Sequence, residues 1–381
     1  MRSFILSFPQ KFLYLFILTM FLSSCSSDDD LVVPEDPIGA PIENPVETPS
    51  ETPDEDPMPW QPLGGGMDDT VMDLLVFENN LVAGGWFEKA GDENVSFVAQ
   101  WDGTSWSKMG SGMDDIVYAF ADHNGTLIAA GWFNNAGGQS AKYVASWDGN
   151  DWQPMGAGRT EATVALTIFN DEVIAGGYSE TGGEDSNRVA RWDGNQWQNM
   201  GTGINAAVWD LEVYKDELYA GGWFDKAGSQ TVNYITRWDG NNWTALGTGL
   251  NGAVEVLGIF EDGLIAGGAF TTAGGEPANG IARWDGSQWH ALGDGVDGSV
   301  YALTVYNDQL IAAGTFENAD GKPASNIAIW DGETWNALGS GLSDWVIALT
   351  NYEDTFVAGG DFQRSGEDSV NFISVYEKPE E

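Results

Sequence analysis

Apolar positions in this chain come in short blocks rather than along helical stripes. From residue 117 the runs VYAFA, LIAAGWF, KYVASW and WQPMG follow one another. They are parted by HNGT, by a longer loop NNAGGQSA, and by an Asp-Gly hinge. The runs are β-prone, the breaks are rich in Gly, Asn and Asp, and no 3.6-residue period is present. Such a pattern predicts four short antiparallel strands.

The same unit recurs along the chain. The hinge reads WDGTSW at Trp101 and returns at Trp147, Trp192, Trp238, Trp284 and Trp330, always 45 or 46 residues on. Asp-Gly suits the turn because it supplies a side-chain acceptor and a residue tolerant of positive φ. A fixed period of this length with four strands per unit predicts a ring of sheets, an all-β propeller. The third-strand position is filled by those six Trp and finally by Tyr376. The fourth-strand position is filled by Trp60, Trp106, Trp152, Trp197, Trp243, Trp289 and Trp335. Each series has seven members, so seven blades are expected. The N-terminal WQPLG at Trp60 is left to complete the last blade, which would remove a free sheet edge.

The propeller is thus expected over 60–378, with a short tail at 379–381. Residues 1–24 do not fit it. Arg2 and Lys11 precede an eleven-residue apolar run, Phe12 to Leu22, too short to span a bilayer as a helix. The run ends in LSSC at Cys25, the one cysteine of the chain. This resembles the bacterial lipoprotein signal, and the resemblance implies cleavage before Cys25 and lipidation of it. The alternative is an ordinary signal with an incidental cysteine. SSDDD follows and is similar to the lipoprotein export signal of Bacteroidetes, which implies the outer face of the outer membrane. Residues 25–59 are rich in Pro, Asp, Glu and Thr, and are expected to form an extended, disordered tether.

Formal net charge is −43. Eleven of the 58 acidic residues fall in 28–57, so the propeller itself is also strongly acidic. Nucleic acid and anionic polysaccharide are therefore excluded as partners, while neutral or cationic ligands are permitted. With Cys25 assigned, no intramolecular disulfide is available. A monomer without a cofactor or a metal is expected.

Over 60–376 the unit resembles the kelch-type propeller, the class that includes the central domain of galactose oxidase. The residues that carry the resemblance are Gly pairs ending the second strand (Gly84–Gly85, Gly176–Gly177, Gly221–Gly222, Gly267–Gly268, Gly359–Gly360), then an aromatic strand, an Asp-Gly turn and a Trp-led strand. The resemblance implies VYAFA innermost and WQPMG outermost. Two departures stand out: an added G-x-F and WDG, and no counterpart to the copper ligands of galactose oxidase. Only His123 and His290 exist, and both read as surface residues.

Thirteen of 18 Trp belong to the repeat. The others carry information. Trp86, Trp132 and Trp223, with Tyr178, occupy the position after the Gly pair (Ala130–Gly131 in blade 2) in blades 1 to 4, where blades 5 to 7 have Ala269, Thr315 and Asp361. Trp209 and Trp345 stand at the start of inner strands, and Tyr118 and Tyr301 share the Trp209 position. An aromatic sector on one rim is what stacking on sugar rings needs, with Asp68, Asp69, Asp114 and Asp115 as candidate polar groups. The alternative is that these rings pack between blades. Three functions stay open: a cell-surface glycan-binding lipoprotein, a protein-interaction or adhesion scaffold, and a glycan-active enzyme. The last ranks lowest, since no nucleophile with a His partner and no metal-ligand spacing occurs.

Overall fold

A computed structural model describes residues 60–178 and 188–377. The expected signal, Cys25, the tether and the 379–381 tail lie outside the described residues. Seven four-stranded antiparallel sheets are present, each running from an inner strand through second and third strands to an outer one. The inner strands are Val71–Phe77, Val117–His123, Ala162–Phe169, Val208–Tyr214, Ala253–Phe260, Ser299–Tyr306 and Val346–Tyr352, which number blades 1 to 7. The fold is the seven-bladed β-propeller read from the repeat.

Closure is also as read. The outer strand of blade 7 is Trp60–Pro62, antiparallel to Ile373–Tyr376 with Trp60 opposite Tyr376. Ser374 Oγ donates to the Gln61 carbonyl at 2.8 Å. The Trp60 ring is fully buried, 5.5 Å from Phe356 and 5.2 Å from Tyr376. Outer-strand Trp residues also latch neighbouring blades. Trp60 Nε1 donates to the Leu338 carbonyl at 3.2 Å, and Trp106 Nε1 to the Leu63 carbonyl at 3.1 Å. Trp152, Trp243 and Trp335 repeat the contact one period on. A large apolar body with one donor at its edge suits this place, since the ring fills the seam and the N–H is satisfied.

Local chemistry explains the rest of the signature. In each hinge the Gly holds positive φ (93° at Gly103), while the Asp carboxylate takes two backbone N–H groups. Asp102 Oδ1 accepts from Thr104 N at 2.9 Å and Ser105 N at 2.8 Å. The hinge aspartates are turn formers, as expected. The Gly pair has two separate causes. A Cβ on Gly84 would meet Val117 and Phe120 of the next blade, and one on Gly85 would lie 2.2 Å from the Thr70 carbonyl oxygen. Phe87, Phe133 and Phe224, just beyond, are wholly buried.

Strand order places the outer-to-inner links and the second-to-third loops on one rim, and the Asp-Gly hinges on the other. The second-to-third loops, read as plain loops, contain small ribbons such as Lys89–Ala90 against Glu93–Asn94. Two-residue strands are too short to show alternation. Blade 3 departs from the pattern. Arg159 is buried where Met67, Met113, Ile204 and Leu250 sit in other blades. Its Nη2 donates to the Arg188 carbonyl at 3.2 Å, and Arg188 Nη1 lies 2.8 Å from Glu161 Oε2 in a buried ion pair.

Candidate functional site

Every inner strand carries a β-bulge at its rim end. The register slips between Val117 and Ala119, between Val208 and Asp210, between Val254 and Val256, and between Val300 and Ala302. The skipped residues are Tyr118, Trp209, Glu255 and Tyr301. A bulge leaves one residue unpaired and re-aims its side chain, which is how propeller geometry turns these groups to the rim. The second strand ends beside them, on Ala130–Gly131 in blade 2 and around a Gly pair in blades 3 and 4, and sets Trp132, Tyr178 and Trp223 at the same level.

The two sets interleave into a continuous arc. Ring centroids lie 5.6 Å apart from Tyr118 to Trp132, 6.5 Å from Trp132 to Tyr178, 6.1 Å from Tyr178 to Trp209 and 5.8 Å from Trp209 to Trp223. Trp132, Tyr178 and Trp209 are nearly parallel, at 17° and 16°. Five of the eight candidates are therefore joined across blades 2 to 4. Tyr301 and Trp345 form a pair 5.9 Å apart in blades 6 and 7. Trp86 holds the corresponding position after the Gly pair in blade 1. All eight are partly buried, neither sealed in the core like Phe133 nor free in solvent.

The arc ends on a carboxylate that sequence reading missed. Trp223 Nε1 donates to Glu255 Oε1 at 2.7 Å. Burial pushes the Glu255 carboxyl up to about 7, and the Trp223 hydrogen bond pulls the other way. The signal for it existed: Glu255 occupies the same repeat position as Tyr118, Trp209 and Tyr301. Burial likewise raises the Tyr118 and Tyr301 hydroxyls, and the charge of Glu255 adds to the shift at Tyr301.

Deeper along the inner strands are two more carboxylates. Asp73 Oδ2 accepts from Phe120 N at 2.6 Å and Asp210 Oδ2 from Leu257 N at 2.7 Å, each bridging to the next blade. Burial pushes both up to about 7. In the arc-free sector Asp361 Oδ1 accepts from Thr70 Oγ1 at 3.1 Å, and burial, with Asp344 and Asp69 adding, raises it to about 6.

The rim aspartates have local work. Asp68 Oδ1 accepts from Glu88 N and Lys89 N, and Asp114 Oδ1 from Asn134 N and Asn135 N. Asn251 and Ser343 do the same in their blades, so the position ties the rim loop down. Asp115 caps the Ile116 N–H and Asp69 the Thr70 N–H. His290 Nε2 pairs with Asp285 Oδ2 at 2.8 Å and His123 Nε2 lies 3.0 Å from the Asp171 carbonyl, both on the surface.

Comparison with known proteins supports the architecture. The family model described as the Rax2 C-terminal beta propeller domain matches residues 202–348. Among solved structures, the extracellular domain of BT4673 from B. thetaiotaomicron, described as a hybrid two component system, superposes with a TM-score of 0.58 at 12% identity. The match covers 85% of this chain and 40% of that one, so this chain spans well under half of that structure's length. The WD40 beta propeller domain of Doa1 gives 0.55 at 14% identity, covering 82% and 94% of the two chains. The computationally designed Ika8 protein gives 0.51 at 16%, covering 82% and 98%. None of the curated proteins compared with it matches this chain. At these identities the likeness is one of fold, and the class it defines is the seven-bladed β-propeller.

Proposed function

We propose that this chain is a lipid-anchored cell-surface protein whose propeller is a non-catalytic binding module for neutral polysaccharide. The observation that carries the reading is the unbroken arc from Tyr118 to Trp223 on one rim. Its rings are held beside one another by bulges and by the glycines that end the second strands, and each keeps part of its surface in solvent. Flat apolar faces in a row suit the apolar faces of successive sugar rings, and the acidic surface disfavours charged glycans of the same sign. The Gly-Gly and Asp-Gly signature supports a kelch-type kinship, and LSSC with SSDDD supports lipidation at Cys25 and export.

Calorimetry of the full chain against neutral oligosaccharides tests the reading. Trp132→Ala with Trp209→Ala is expected to weaken binding at least tenfold and to lower Tm less than removal of the sealed Trp152. A melting loss equal to that of Trp152→Ala, with no oligosaccharide bound by the parent, would transfer the function to a protein-interaction scaffold.

A further inference from the structure

We infer that the rim beside Glu255 binds an organic cation, an ammonium group held against the Trp223 and Trp209 rings with Glu255 as its counter-charge. The inference goes beyond the glycan reading and does not depend on it.

Three observations converge. First, Glu255 is a carboxylate among aromatic rings. Its Oε1 takes the Trp223 indole N–H at 2.7 Å, Trp223 stands 5.8 Å from Trp209, and its charge acts on the Tyr301 hydroxyl from the next blade. Second, it has no cationic partner. No ion pair among the described residues includes Glu255, and its Oε2 takes no hydrogen bond there. A carboxylate drawn from water without a counter-charge is costly, and a bound cation offsets that cost. Third, the seven inner strands hold Asp73, Asp122, Asp210, Glu212 and Glu255 and not one Lys or Arg. Asp210 feels the charges of Glu212 and Asp73, so these three acids act on one another. Acidic groups set close together without bases draw the opposite charge toward them.

Metal is the poorer fit. Among the described residues no three His, Cys, Asp or Glu side chains gather as a metal site. One carboxylate oxygen beside indole faces matches an ammonium group, which gains from both the charge and the ring quadrupoles.

The test uses the full chain and charge as the only variable. Choline is compared with its neutral isostere 3,3-dimethylbutan-1-ol at pH 8, above the value of about 7 to which burial raises Glu255. In parallel, an N,N,N-trimethylated glucosamine oligosaccharide, whose charge does not depend on pH, is compared with its N-acetylated counterpart. A preference of roughly tenfold or more for the cation is expected in at least one pair. The first pair alone points to a free ammonium compound, the second to amines carried on a polymer. Glu255→Gln should erase the preference, and Trp209→Leu should weaken it while leaving the carboxylate in place. If either variant fails to fold, the preference of the parent chain decides. Equal affinity within both pairs, or no binding in either, overturns the inference. Neutral oligosaccharide binding measured alongside separates the two readings, since each can fail while the other holds.

Discussion

At the residue scale the same amino acid takes opposite roles according to its place in the blade. The six hinge aspartates are exposed turn formers, and backbone or side-chain hydrogen bonds lower their carboxyls. Asp73 and Asp210, on inner strands, lose more to burial than their backbone hydrogen bonds return, and rise to about 7. The sign of the stability effect follows. A carboxyl with a raised folded pKa takes up a proton more readily in the folded state than in the unfolded one. Between about pH 4 and pH 7 the folded state holds the extra proton, so stability falls as pH rises through that window and levels off above it. With each carboxyl raised from 3.8 to about 7, the cost across it is on the order of 4 kcal/mol per site, about 8 kcal/mol for the two. Urea melts at pH 4.5, 6 and 8 measure this. Asp73→Asn with Asp210→Asn should flatten the slope, whatever its effect at any single pH. A slope unchanged in the double variant would mean that the two carboxyls are ionised throughout.

At the element scale, ring closure makes the stability of the whole propeller depend on three residues. Trp60–Pro62 is the outer strand of blade 7, and its loss exposes the third strand as an edge and empties the pocket between Phe356 and Tyr376. A chain beginning at Gly66 should lose roughly 3–5 kcal/mol, the cost of removing a buried Trp and more than fraying of a terminus allows. Chemical denaturation beside a chain beginning at Asp54 checks this, and coincident midpoints would refute the closure. This closure was legible in the sequence, because the two Trp series are offset by one strand. Blade count and strand order were legible too, since every blade repeats its turn chemistry. The bulges were not legible. One residue slipped within an apolar run leaves no compositional mark, yet the slip aims Tyr118, Trp209 and Tyr301 at the rim and brings Glu255 to Trp223. Blade 3 was illegible for another reason. Its Arg159 stands where an apolar residue is wanted, and only the fold shows Arg188 and Glu161 pairing beside it.

At the scale of the whole molecule, strand order fixes which rim faces away from the chain's point of entry. The outer strand of each blade runs from a hinge to an outer-to-inner link, so Trp60 enters at the hinge rim and Leu63 leaves at the rim of the arc. Trp60 thus lies at the rim opposite the aromatic arc. Anchor and binding site can be tested in one measurement. Intact cells expressing the full chain should bind a fluorescent neutral oligosaccharide or ammonium probe, and brief protease treatment should release the propeller by cutting between Cys25 and Trp60. Cys25→Ala should move the protein from the membrane fraction to the soluble one. Trp132→Ala with Trp209→Ala should leave it membrane-bound and abolish capture of the oligosaccharide. Mass spectrometry of the mature chain should find Cys25 acylated at its N-terminus. An unmodified Cys25 would remove the anchor from the proposal. Binding that appears only after the cells are broken would place the protein inside the envelope.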